Sequence, residues 1–167
     1  MKRWNILGII IGCLVFIVFL ITIRPFGGTV NSQTIQRRAL LVGVTTYKDA
    51  IWNNLRFPAD DAKAIAEVMI DQQVGGWRNE NIKILCDENA TRENFKNELL
   101  QLLKVSERGD FVLVYFSGHG AVSGKNAFLA MYDTDPKNLD GTGYDLDELR
   151  LKVMVLSQTV KQVWNGM

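Results

Sequence analysis

Residues 111–120 read FVLVYFSGHG: six apolar or aromatic residues, a serine, and the only histidine of the chain, His119, between Gly118 and Gly120. An unbroken apolar run of this length suits a strand buried on both faces, the pattern of a parallel sheet. Glycines on both sides of His119 allow positive φ and a close approach to a ligand. They place it on a loop just past the carboxyl end of the strand, where open α/β sheets bind their ligands. A lone histidine is more often structural than catalytic, and it is this placement that makes His119 a candidate base.

The stretches before it supply the rest of a sheet. ALLVGV (39–44) is a short apolar run that reads as a first strand, and NIKILC (81–86) as a second, with the 111–116 run as the third. Between them, Pro58 and the acids Asp60 and Asp61 open a helix whose Ala62, Ile65, Ala66 and Met69 recur at helical spacing. Thr91 is placed to cap a second helix with Phe95, Leu99, Leu102 and Leu103 on its apolar stripe. Strands alternating with helices imply a parallel sheet with right-handed crossovers.

Several chemistries are excluded. A Gly-x-Gly-x-x-Gly loop would need glycine at Ser123, and neither a Walker sequence nor a Gly-x-Ser-x-Gly elbow is present. One histidine does not make an ordinary zinc site, and two cysteines, Cys13 and Cys86, make no disulfide framework. A net charge of +1 gives no reason to expect nucleic acid as a partner.

No charged residue lies between Arg3 and Arg24. Roughly 20 helical residues span about 30 Å, the thickness of a bilayer core, and no small-residue cleavage site follows. Residues 1–24 are therefore expected to form an N-terminal transmembrane anchor with a short basic flank. Basic residues on both sides of the run leave the orientation open. The Pro, Gly and polar residues of 25–37 read as a linker.

RALLVGVTTY (38–47), LRFPADDAKAIAEVM (55–69), ENATRENF (88–95) and DFVLVYFSGHG (110–120), followed by FLAMYDTD (128–135) and YDLDEL (144–149), resemble in this order the first two thirds of the caspase-like cysteine peptidases. The metacaspase and prokaryotic caspase-homologue branch is the nearer likeness. The resemblance implies an α/β, three-layer caspase-like fold with a mostly parallel central sheet over 38–167, C-terminally incomplete and preceded by one transmembrane helix.

It also implies a cysteine-type endopeptidase acting on protein or peptide substrates. His119 would be its general base and acid, and the backbone N–H of Gly120 would face the oxyanion. Asp61 and Ser117 would line the pocket for the residue before the cut, where a carboxylate favours Arg or Lys. Plain alternatives are a helix-dipole acid for Asp61 and a turn cap for Ser117. No cofactor is required. Some metacaspases use calcium, and Asp133, Asp135, Asp140, Asp145 and Asp147 cluster in sequence, but their spacing fits no EF-hand and capping acids explain them as well.

The family's nucleophile is expected about 50 residues after the histidine, at about position 169. The sequence ends at Met167, and its last residues show no Asp-x-Cys. Cys86, at a strand end, reads as packing. Three readings follow: an incomplete chain, which is preferred, a catalytically inactive form, or a split enzyme completed by another subunit. An inactive, membrane-tethered interaction module is the alternative function. Without a neighbour on its outer edge, the 111–116 strand is an expected site of self-association.

Overall fold

The computed structural model describes the backbone of residues 12–22, and residues 35–107 and 109–153 with their side chains. Its sheet has six strands: β1 (Gly12–Thr22), β2 (Arg37–Gly43), β3 (Ile82–Cys86), β4 (Phe111–Ser123), β5 (Asn126–Leu129) and β6 (Tyr144–Asp145). The order is β3-β2-β4-β5-β6, with β1 on β4 outside that path. Both β3 and β4 run parallel to β2, as the alternation of strands and helices requires, while β1, β5 and β6 pair antiparallel.

Helix α1 (Pro58–Ile70) begins with proline in its first turn, where no N–H is needed, and with Asp60 and Asp61 at the positive end of its dipole. The backbone then turns away through Gly76, whose φ of +62° is costly for any other residue. Helix α2 (Arg92–Val105) is capped by Thr91 Oγ1, which accepts from Asn94 N–H at 3.2 Å.

Alternation along the strands divides the core into two layers. Leu40, Val42, Val112, Val114 and Phe116 face α2 through Phe95, Leu99 and Leu102. Ala39, Leu41 and Tyr115 face α1 through Ala62, Ala66 and Met69. This is the expected α/β architecture, but the sheet is mixed and not mostly parallel: two of the strand pairings among the described residues are parallel and three antiparallel. At the amino ends of β2 and β4, buried Asp110 accepts from Gln36 N–H, Glu107 N–H and Arg38 Nε at 2.9, 3.0 and 3.1 Å, tying the two central strands together.

Two expectations change. The third predicted strand does not end before the glycines: β4 runs on to Ser123, so His119 lies within a strand and not on a loop. The reason is a change of partner. β2 stops at Gly43, opposite Ser117, and from Gly120 onward β4 pairs instead with β5. Nor do Gly118 and Gly120 adopt positive φ. Gly118 is required by crowding: a Cβ there would lie 2.8 Å from Phe116 Cζ and 2.9 Å from the Tyr47 hydroxyl.

The transmembrane helix expected over 1–24 is also not what the described part of that segment forms. Gly12–Thr22 is a strand that pairs with residues 111–120 of β4. Val15, Phe16, Ile17, Val18, Phe19, Ile21 and Thr22 are β-branched or aromatic, so the run suits a pleated surface as well as a bilayer, and β4 offers it an edge. No helix among the described residues is long and apolar enough to cross a membrane. Residues 1–11, 23–34 and 154–167, including most of the expected linker and the tail, lie outside the described residues.

Removing residues 1–36 leaves the outer edge of β4 without its partner. A chain beginning at Arg37 is expected to self-associate in sedimentation velocity, and a single monomeric species at micromolar concentration would count against that edge as the cause.

Candidate active site

The site forms where β2 has ended and β4 has not. The segment between β2 and α1 turns across the exposed part of β4 and is fastened at successive points. Val44 N–H donates to Ser117 O at 2.9 Å. Thr45 and Thr46 N–H both donate to Asp87 Oδ1, at 2.8 and 2.9 Å, and Asp87 takes a left-handed φ of +47° to receive them. Thr45 Oγ1 accepts from Ala59 N–H at 3.0 Å, joining the segment to the start of α1.

His119 is buried beneath this segment. Its backbone N–H donates to the Tyr47 hydroxyl at 2.7 Å, and its carbonyl accepts from Ala130 N–H at 2.9 Å. The ring lies against Trp52, stacked at 5.6 Å between centroids, and against Tyr47 at 5.2 Å. Trp52 is fixed in turn by its Nε1–H, which donates to Thr134 O at 2.8 Å. Burial chiefly drives the Tyr47 hydroxyl well above the ordinary phenol range. The bond from His119 N–H opposes this and the Asp87 charge adds to it, so Tyr47 stays neutral.

One contact settles the tautomer. His119 Nε2 lies 2.7 Å from the carbonyl oxygen of Asn53. A carbonyl only accepts, so Nε2 carries the proton. The neutral ring then has its lone pair on Nδ1, which is buried and has no hydrogen-bond partner among the described residues. A buried acceptor left open is costly in a purely structural role and is what a general base needs.

Ser117 is the second buried side chain whose hydroxyl lacks a well-formed hydrogen bond among the described residues. It belongs to the α1 side of the sheet, next to Tyr115. Burial raises the Tyr115 hydroxyl pKa; nearby Ser117 lowers it and the charge of Asp61 raises it further. Asp61 is half-buried in the first turn of α1. The structure thus groups Asp61 and Ser117 around Tyr115, and sets His119 and Gly120 on the continuation of the same strand. Tyr47, Trp52 and the Asn53 carbonyl complete the surroundings of His119 without having been singled out in the sequence. A main-chain carbonyl leaves no trace in side-chain identity.

The family model described as the caspase domain matches residues 36–161. The chain belongs to the caspase-domain family. It is similar to Metacaspase-6 of Arabidopsis thaliana, with 28% identity over 114 residues, 65% of this chain and 27% of that protein. The chain therefore spans about a quarter of the length of this curated relative.

In this caspase-domain chain the described thiol side chain, Cys86, is not set up as a nucleophile. It is half-buried at the end of β3, with Sγ 3.6 Å from Ala59 O. Burial pushes its pKa up, outweighing the opposing pull of Lys63. β2 lies between β3 and β4, and two inter-strand spacings put the backbones of Cys86 and Ser117 roughly 10 Å apart. Three of the acids after β5 serve the backbone: Asp133 accepts from Arg92 N–H, Asp135 from Lys137 N–H, and Asp145 from Asp147 and Glu148 N–H. Among the described residues no group of three or more His, Cys, Asp or Glu is arranged to hold a metal ion.

A thiol with a raised pKa has less thiolate at neutral pH than free cysteine. Cys86 is expected to react with iodoacetamide more slowly than free cysteine at pH 7.5. Its rate should still climb with pH above the range where the free thiol levels off. Labelling at pH 7 as fast as that of an activated thiolate would contradict this placement.

Proposed function

We propose that this chain supplies the base and the specificity pocket of a caspase-type cysteine endopeptidase, with preference for Arg or Lys before the scissile bond and with the nucleophilic cysteine missing from these 167 residues. The observation that carries the reading is the imidazole of His119, protonated at Nε2 by its bond to Asn53 O and open at Nδ1.

In this reading Nδ1 takes the thiol proton as sulfur attacks the substrate carbonyl, and later returns it to the leaving amine. Water then releases the acyl group, with Nδ1 again as base. Throughout, the Asn53 carbonyl keeps the ring in place and offsets part of the imidazolium charge. Backbone groups of consecutive strand residues point to opposite edges. His119 N–H points to the Tyr47 side, so Gly120 N–H points to the edge where β1 lies. That amide is the proposed oxyanion donor. Asp61, with Ser117 and Tyr115 beside it, would attract a basic side chain.

The first test is cleavage of peptides with Arg or Lys at the cut, in the presence of thiol, by the full protein in its native membranes. Cleavage is expected to fall by about 100-fold or more in His119→Ala, and KM for Arg peptides to rise by about tenfold in Asp61→Asn. A folded protein that neither cleaves such peptides nor reacts with an Arg-directed thiol-trapping ketone would overturn the peptidase reading in favour of a non-catalytic interaction module.

A bilayer anchor at 1–24 belongs to the same proposal, supported by the uncharged run from Trp4 to Ile23. As a span, this run would leave the β4 edge at Gly120 open to substrate and to another strand. Retention in the membrane fraction after alkaline extraction is the expected result; release would favour the strand arrangement.

A further inference from the structure

We infer that Tyr47 is a positioning residue for His119, holding its backbone and ring so that Nε2 stays on the Asn53 carbonyl and Nδ1 stays free. The inference rests on the reading of His119 as the base. It deepens that reading by naming the side chain that makes the geometry possible.

The argument starts from a gap in the hydrogen-bond ladder. On the β2 side of β4, the last bond from the direction of β2 is Val44 N–H to Ser117 O, and the first from the direction of β5 is Ala130 N–H to His119 O. Between them the His119 N–H has no strand to donate to. The Tyr47 hydroxyl fills that place at 2.7 Å, so a side chain does the work of a missing strand at the catalytic position. A buried amide without such an acceptor would be left unsatisfied, and the strand would shift to find one.

The same residue also touches the ring. Tyr47 lies 5.2 Å from the His119 ring and 5.7 Å from Trp52, which stacks on His119. With Tyr47 and Trp52 packed against the ring and Nε2 tied to Asn53 O, rotation of the imidazole is blocked. The Tyr47 hydroxyl accepts through an oxygen lone pair, and burial disfavours the phenolate, which would be an uncompensated buried charge. The absence of room for a Cβ at Gly118, 2.9 Å from the Tyr47 hydroxyl, shows how closely the phenol is seated against β4.

The chain has one histidine, so imidazole nitrogen signals are unambiguous in full-length protein prepared without a histidine tag. Nitrogen-15 spectra of the wild type should show the Nε2–H tautomer. Tyr47→Phe keeps the ring and removes only the acceptor. It is expected to raise the Nδ1–H tautomer fraction and to speed exchange of the His119 amide about tenfold, with the remaining spectrum unchanged. A tautomer ratio and amide exchange that match wild type would overturn the proposal.

Should Tyr47→Phe fail to fold, difluorotyrosine at position 47 weakens the acceptor while keeping the hydroxyl. The same shift in tautomer and exchange supports the role, and its absence removes it. These readouts need no turnover. A protein without peptidase activity that still shows them loses the proposed function and keeps the positioning role. A peptidase whose Tyr47→Phe form leaves them unmoved keeps the function and loses this inference.

Discussion

Everything at the candidate site depends on a difference in strand length. β2 ends opposite Ser117 and β5 takes over only from Gly120, so on that edge the β4 backbone between them needs partners that neither strand supplies. Burial leaves them little access to water, so the chain must bring partners in. The segment after β2 does so with one backbone amide, Val44, and one side chain, Tyr47; its Asn53 carbonyl then takes the histidine ring. The imidazole of His119 is held by the same segment that completes the sheet.

The opposite end of the sheet is fixed in a different currency. There buried Asp110 accepts three bonds, one of them from Arg38, and aligns the starts of β2 and β4. A buried carboxylate so fully satisfied sets register where strands begin, whereas neutral donors and acceptors surround His119 where they diverge. Between the two ends lie only apolar layers, with α2 on one face and α1 on the other. Asp61 and Ser117 belong to the α1 face, and His119, two residues beyond Ser117 on the same strand, is held by the segment that leads into α1.

Much of this was legible in the sequence. The apolar runs at 39–44, 81–86 and 111–116 marked the three parallel strands, and Pro58 and Thr91 marked the helix starts, because local chemistry and tertiary role agree there. His119 stands out in the sequence by its place after the third run, although β4 continues through it. What the sequence hid depends on distant pairing. That β4 continues through Gly118 follows from β5 taking over as partner, and the role of Tyr47 arises across 72 residues of chain. The N-terminal run was ambiguous for a different reason: a segment apolar on every side has no periodicity to separate a span from a strand, and only an available edge distinguishes them.

Gly43 ties these supports together. A Cβ at this residue would lie 2.1 Å from Pro58 O and 2.7 Å from Ala59 Cα, so the start of α1 rests directly on the last residue of β2. A larger residue there would push the start of α1 outward, and because Thr45 ties the segment that holds His119 to Ala59, Asp61 and the Tyr47–Asn53 segment would shift together. In the proposed reading, the space left by one absent methyl group therefore keeps the recognition and proton-transfer groups in a single register.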